Sequence, residues 1–484
     1  MRQSIKHLIL SLAVASVLLI NPGGASAQPG VSMHTGTLPD GATYLIEVPA
    51  NWNGTLFLYS HGYVVPGSPN PAMDVGDPAT RLFMLASGFA LAGSSYATTG
   101  WAIQQALPDQ IAVLDLFDHL VGHPQVTIAW GHSLGGMITA GLIQRYPHRF
   151  DAALPMCGVL SGGVATWNTA LDSAFAFQNL IAPGSGLQIV NITNPTANLD
   201  LAEEVLAAAA ATPQGKARLS LVAALGDTPG WFTPLSPEPA PTDFTDQQAN
   251  QFLWAQQVDF PFAFAFRAEL EFRAQGNPSW NTAVDYRRQL DRSGDAAEVR
   301  ALYEQAGLDL DADLRFLNES PRISADPEAT HYLEQNIIYN GEIHIPVLTL
   351  HTTGDGLVVV ENESAYKDVV REEGNGEFLR RTFVARAGHC AFTPAETIAA
   401  VQTLLSRLET GTWSDLDATN LNNEAEALGP NFNIFTNSAG AIVPVPPAFV
   451  KFEPGPYLRP FDAENGECEF GFFCGDPFFS FHWH

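Results

Sequence analysis

Residues 126–149 leave the chain few options. Val126-Thr-Ile-Ala-Trp130 is an apolar run of strand length, and Met137 to Arg149 has helical spacing. Between them stands Gly131-His132-Ser133-Leu134-Gly135-Gly136. A strand that turns into a helix within so few residues passes backbone against backbone. Glycines permit that approach and larger residues block it. The serine is thereby fixed at the apex of the turn, and the strand feeding it needs a sheet covered on both faces.

The neighbouring sequence supplies such a sheet. Thr55-Leu-Phe-Leu-Tyr59, Ala90-Leu-Ala-Gly93 and Ala152-Ala-Leu-Pro-Met156 are short, almost wholly apolar runs that predict buried strands. With helical segments at Ile103 to Val121 and Met137 to Arg149, they give the βαβα rhythm of a mainly parallel sheet. Val31 to Thr35 and Thr43 to Val48 flank the turn residues Pro39-Asp40-Gly41 and predict an antiparallel hairpin ahead of it. The strand pattern resumes at Pro346 to Leu350 and Leu379 to Val384. The expected organisation is therefore a core over residues 28–160 and 340–412, interrupted by a helical insertion at 161–339. In the insertion, Leu201 to Ala211, Gln214 to Leu225, Asp246 to Arg273, Thr282 to Arg292 and Ala296 to Gln305 read as helices. Residues 413–484, rich in Pro, Asn and Phe, read as an irregular extension.

With 51 acidic against 23 basic residues, the net charge of −28 argues against nucleic acid or an anionic membrane as partner. Only Lys6, Lys216, Lys367 and Lys451 are lysines, a balance suited to a salty habitat. Arg2 and Lys6, the apolar stretch Leu8 to Ile20 and Ala25-Ser26-Ala27 have the three parts of a secretory signal over residues 1–27. That stretch is shorter than the roughly 20 residues a membrane-spanning helix needs. A secreted or periplasmic location follows, with cleavage near Ala27, and no membrane span is expected. In an oxidising space the 4 cysteines favour pairing, with three possible connectivities. Cys468 and Cys474, six residues apart, are the first candidate pair, leaving Cys157 and Cys390.

A Gly-x-Ser-x-Gly turn between strand and helix is a nucleophile elbow, which pushes the serine Oγ out above the sheet. A serine hydroxyl is a poor nucleophile near neutral pH and needs a base that is itself oriented by an acid. The order serine, acid, histidine is met by Ser133, Asp355 in Gly354-Asp355-Gly356, and His389 in Gly388-His389-Cys390. Both partners follow strands, at the sheet edge that holds Ser133. For the oxyanion, the backbone N–H of Leu134 lies at the positive start of the following helix. Tyr63, in Ser60-His61-Gly62-Tyr63, is the second donor candidate. His132 reads as a packing residue, His351 as a buried hydrogen-bonded one, and His482 and His484 as a solvated terminus. Asp311 and Asp313 lie in the insertion, in the wrong kind of element for the acid. No Cys-x-x-Cys, Gly-x-x-x-x-Gly-Lys or His-Glu-x-x-His occurs, so neither a metal nor another cofactor is expected.

On His61-Gly62, Gly131 to Gly136, Gly354-Asp355 and Gly388-His389, the chain resembles the α/β-hydrolase superfamily, and within it the secreted bacterial esterases and lipases. The resemblance implies an α/β-hydrolase fold, with a mostly parallel eight-stranded sheet and a helical cap after strand six. Cys390 beside His389 is also similar to tannases and feruloyl esterases, where cysteines next to the serine and histidine pair. This sequence departs from that pattern, since His132, not cysteine, precedes Ser133; Cys157, at the end of the strand after the elbow helix, is expected to reach Cys390 and clamp the histidine loop.

The expected activity is hydrolysis of a small-molecule or polymeric carboxylic ester through an acyl-enzyme. Phe260, Phe262, Phe264, Phe266, Trp254 and Trp280 either line an acyl pocket or form the cap's own core. A secreted amidase or peptidase is the alternative, with Glu203-Glu204 or Glu269 and Glu271 holding a substrate amine. A non-catalytic binding module on the same fold is the third reading.

Overall fold

The structure is a computed structural model that describes residues 30–414, 416–437 and 440–461. The expected signal segment, Cys468, Cys474, His482 and His484 lie outside the described residues.

β1 (Val31–Thr37) and β2 (Thr43–Pro49) pair antiparallel around the Pro39-Asp40-Gly41 turn. β3 (Thr55–Ser60), β4 (Ala90–Ser94), β5 (Val126–His132), β6 (Ala152–Met156), β7 (Val347–Gly354) and β8 (Leu379–Ala387) continue the sheet. The order is β1-β2-β4-β3-β5-β6-β7-β8, and every pairing from β4 to β8 is parallel. Successive side chains serve opposite faces, which is why these strands are apolar throughout. Leu56 and Leu58 pack with the helices Ile103–Leu120 and Leu134–Arg145, whereas Phe57 and Tyr59 pack with Pro78–Ala86 and Pro394–Thr410. Each such side chain contributes roughly 1.5–3 kcal/mol by leaving water.

The region after residue 413 departs from the irregular extension expected there. It contains a helix, Ala418–Ala427, and a hairpin of β9 (Ile434–Thr436) and β10 (Ile442–Pro444). It then supplies β11 (Phe449–Val450), antiparallel to β8, so the sheet has nine strands rather than eight. Two residues are too short to leave a readable alternation in the sequence.

Between β6 and β7 the chain forms a run of helices from Gly163–Leu180 to Pro327–Gln335, packed around a separate core that includes Phe177, Phe260, Phe264 and Tyr286. The single helix expected from Asp246 to Arg273 is broken. Phe244–Trp254 and Arg267–Ala274 are α-helical, but Ala255–Asp259 and Phe262–Phe266 are π-helical on either side of Phe260-Pro261. Pro261 has no N–H to donate and its ring crowds the carbonyl four residues back, so the ladder shifts register around it. Among the described residues no helix is long and apolar enough to cross a membrane.

One buried carboxylate ties three elements together behind the sheet edge. Glu396 accepts from both terminal nitrogens of Arg386 (2.7 and 3.0 Å), from the Thr393 N–H (2.7 Å) and from the Ala448 N–H (2.8 Å). Thr393 Oγ1 in turn accepts from the Glu396 N–H, closing a capping box at the start of Pro394–Thr410. The cluster anchors both ends of the loop 387–393. Replacing Glu396 with Ala strands a buried guanidinium, and the expected cost is about 3–5 kcal/mol in a urea titration. A loss under ~1 kcal/mol would show that Arg386 rehydrates without strain.

Candidate active site

The parallel register sets Ser60 beside Gly131 and His132 beside Met156. The ends of β3, β5, β7 and β8 thus fall on one edge of the sheet. Ser133 leaves β5 with φ 60° and ψ −125°, a conformation that L-residues avoid. Holding it there costs on the order of 1–3 kcal/mol. The turn closes because a Cβ on Gly131 would lie 2.4 Å from Ser60 O, and one on Gly135 only 1.9 Å from the same atom. Ser133 N–H donates to Met156 O (3.0 Å), while its carbonyl accepts from the Gly136 and Met137 N–H groups.

His389 reaches this serine from the loop after β8. Its Nε2 lies 2.7 Å from Ser133 Oγ, and its Nδ1 lies 2.7 Å from Asp355 Oδ2. Asp355 follows β7, whose pairing to β8 shifts register between Thr352 and Gly354. Such an irregularity re-aims the residues beyond it. Thr352 Oγ1 donates to Gly388 O (2.7 Å) and Gly388 N–H to Gly354 O (2.9 Å), so the acid and base loops are bonded to each other. Cys157, directly after β6, is joined to Cys390 with Cα atoms 5.4 Å apart. Cys390 Sγ lies 3.4 Å from His389 Nε2. The two cysteines and His389 sit at metal-ligating separations, but sulfurs bonded to each other offer no thiolate to an ion.

Leu134 is the first residue of its helix, so its N–H has no intrahelical acceptor. Gly62 packs on the serine, an added Cβ lying 3.2 Å from Ser133 Cβ, and Tyr63 follows it. Tyr63, Ser133 and Leu134 all line a cavity of about 160 Å³ between the core and the inserted helices. Its walls are mostly apolar: Trp101, Trp167, Leu219, Val222, Phe252, Phe260, Phe262 and Phe264. Phe260 and Phe264 line the cavity and also belong to the insertion's core. Trp254 packs with Phe232 and Val258, and Trp280 with Phe461. Glu269 and Glu271 are not in the cavity. Glu269 pairs with Arg273 and accepts from the Trp101 N–H, while Glu271 pairs with Arg267 and accepts from the Asn191 and Ile192 N–H groups.

His132 points away from the serine to Tyr59 Oη, 3.1 Å from its Nδ1, and burial pushes its pKa down to about 4. His61 stacks on Tyr96 with ring centres 3.9 Å apart. His351 is more consequential than its sequence context indicates. It is fully buried; Nδ1 lies 3.1 Å from Glu363 Oε1, Nε2 lies 2.8 Å from Val358 O, and Asp355 Oδ2 is 3.6 Å away. Both ring nitrogens face acceptors, which is the arrangement of an imidazolium. Burial opposes that charge, yet Asp355 and Glu363 outweigh it and raise the pKa to about 10. Burial would likewise raise Asp355, but His389 and His351 hold it down to about 2. The Leu357 and Val358 N–H groups, each 3.0 Å from Oδ1, complete its solvation. Glu363 gives no signal in the sequence, because an acidic residue inside a helix looks like a solvated face.

The sign of the His351 effect is definite. A folded pKa near 10, above the ordinary value of 6.5, gives stability that is full below pH 6.5 and is lost as pH rises through 10. The expected slope in that window approaches ~1.4 kcal/mol per pH unit. His351→Gln should flatten it relative to the parent in melts taken from pH 6 to 10. Parallel curves would mean the ring is neutral.

No family model matches the sequence. The chain is 31% identical over 439 residues to the o-phthalyl amidase of Xanthobacter agilis, covering 82% of this chain and 93% of that protein. Among solved structures, feruloyl esterase B from Aspergillus oryzae aligns with a TM-score of 0.41 at 13% identity, over 80% of this chain and 81% of that one. The rice cell wall degrading esterase LipA from Xanthomonas oryzae, in a mutant form, aligns at 0.37 and 13%, over 78% and 90%. The protein belongs to the family of the o-phthalyl amidase.

Proposed function

We propose that this hydrolase cleaves carboxylic esters by acyl transfer to Ser133. The unbroken hydrogen-bonded chain from Ser133 Oγ through His389 to Asp355, each link 2.7 Å, is the observation that supports the reading. His389 Nε2 takes the serine proton as Oγ attacks the carbonyl carbon, and Asp355 fixes the tautomer that leaves Nε2 free to do so. The N–H groups of Leu134 and Tyr63 receive the charge that develops on the carbonyl oxygen. His389 then hands its proton to the leaving group, the acyl-enzyme forms, and water returns the serine by the same path. Residues 161–339 act as the cap that shapes the cavity. The paired Cys157 and Cys390 hold the histidine loop in a secreted or periplasmic setting, where a disulfide persists.

A second reading, amide hydrolysis on the same machinery, is favoured by the 31% identity to an amidase. The steps are the same, but protonation by His389 becomes obligatory, because an amide anion is too basic to leave unprotonated. None of the cap acids weighed from the sequence, Glu203, Glu204, Glu269 and Glu271, lines the cavity, and the last two are held in ion pairs.

Matched 4-nitrophenyl esters and 4-nitroanilides of benzoic and phthalic acid test both readings. With each rate divided by that for hydroxide, acceleration of the ester at least tenfold above that of the anilide is expected for an esterase; the reverse ranking makes the amidase reading the right one. Ser133→Ala should lower kcat by on the order of 10⁴–10⁶-fold on either substrate. A variant that keeps even a tenth of the rate would remove Ser133 from the reaction, and inertness of the parent to a phosphonate serine probe would favour a binding module.

A further inference from the structure

We propose that Asp259 is a specificity-determining residue, donating a hydrogen bond from inside the cavity to an acceptor atom on the apolar group of the substrate. The proposal rests on the cavity being the substrate site of the hydrolase described above, and it names the class of group admitted: an aromatic or aliphatic moiety carrying a neutral carbonyl or ether oxygen. Asp259 is the only carboxyl among the described residues lining the cavity, and no Lys or Arg lines it. It closes the first π-helical turn, Ala255–Asp259, an element that recurs at functional sites because it aims a side chain an α-helix would place elsewhere.

The side chain lies deep in the molecule, yet it keeps accessible surface because it faces the cavity. Thr228 Oγ1 donates to Oδ2 at 3.3 Å, which leaves Oδ1 as the oxygen presented to a ligand. Removal from water, with the Asp355 carboxylate as a further influence, pushes the pKa up to about 7 against the Thr228 bond that lowers it. Near neutral pH a large fraction is therefore the acid, and its proton belongs on the oxygen that accepts nothing from Thr228.

Beside it, Gln251 continues the same polar strip. Its Nε2 donates to Thr228 O (3.3 Å) and Glu298 Oε2 (2.9 Å), while its buried Oε1 has no partner in the protein. A donor and an orphaned acceptor side by side, with Phe252, Phe260 and Leu219 among the other lining residues, form a small polar patch in a wall that is mostly apolar. Such a patch contributes little to a purely hydrocarbon substrate and leaves its own groups unpaired against one. It discriminates through the oxygen that accepts from Asp259.

The test compares 4-nitrophenyl benzoate with its ortho-, meta- and para-acetyl derivatives, each rate divided by that for hydroxide. In the parent at least one acetyl isomer should exceed benzoate by about tenfold in kcat/KM, equivalent to ~1.4 kcal/mol. Asp259→Asn, which keeps an N–H donor at the same place, should retain most of the preference. Asp259→Leu should abolish it, with the loss falling in KM and bringing kcat/KM for the acetyl derivatives down to that for benzoate in the same variant. Equal losses on benzoate and on its acetyl derivatives, or a preference that survives in Asp259→Leu, overturn the proposal. Calorimetric binding of acetylbenzamides against benzamide to Ser133→Ala protein, with and without Asp259→Leu, reads the same preference without turnover. A parent inactive on every ester would sink the esterase reading, while the binding arm would still decide the role of Asp259.

Discussion

A carboxylate buried in protein needs its charge answered at once, and the structure around this edge of the sheet is organised by that demand at Asp355. Isolated in a dry interior, the group would protonate and cease to orient anything. Two backbone N–H groups hold one oxygen, and His389 and His351 meet the other. His351 then requires its own counter-charge, which Glu363 supplies from the helix Asn362–Glu372. The charge is thus passed back, group by group, until a fully buried glutamate ends the series with a second bond from Thr349. Each link fixes a loop or a strand end, so the electrostatics and the positioning of Ser133 are one problem with one solution.

The inserted helices take part in that solution as well as forming the cavity. A Cβ on Gly356 would lie 2.3 Å from the Trp254 ring, and one on Gly354 would lie 3.2 Å from Trp231. Trp254 donates to Trp231 O at 2.9 Å, so the two indoles form a joined cover over the residues flanking Asp355. Excluding water there strengthens every charge contact beneath the cover, because the local dielectric falls. The same cover explains why glycines stand on both sides of the acid: a larger side chain would lift the insertion off the loop.

What the sequence discloses and what it hides divide along physical lines. Ser133, Asp355 and His389 are legible because each follows an apolar strand and stands beside glycine, and a parallel sheet delivers all strand ends to one edge. Helices with clear apolar spacing, such as Ile103–Leu120, are readable for the same reason. The irregular turns Ala255–Asp259 and Phe262–Phe266 are not, since their period lies close enough to that of an α-helix to pass as one. Nor is β11, too short to alternate. Glu363, Glu396 and Asp259 are hidden for a different reason. A charged residue in a helical pattern reads as solvated, and only the fold decides which of them turns inward to meet an arginine, a histidine or a cavity.

That last distinction separates the buried acids by role. Glu396 and Glu363 are satisfied by the protein itself, with Arg386 and His351 as partners, and their work ends with the fold. Asp172 is of the same kind, facing Arg459, Gln289 and Tyr286. Asp259 has a single hydroxyl for company and a cavity in front of it. Its persistence in an apolar wall that also holds Ser133 is what a recognition site requires: a hydrogen-bonding position that the protein does not fill from its own side chains.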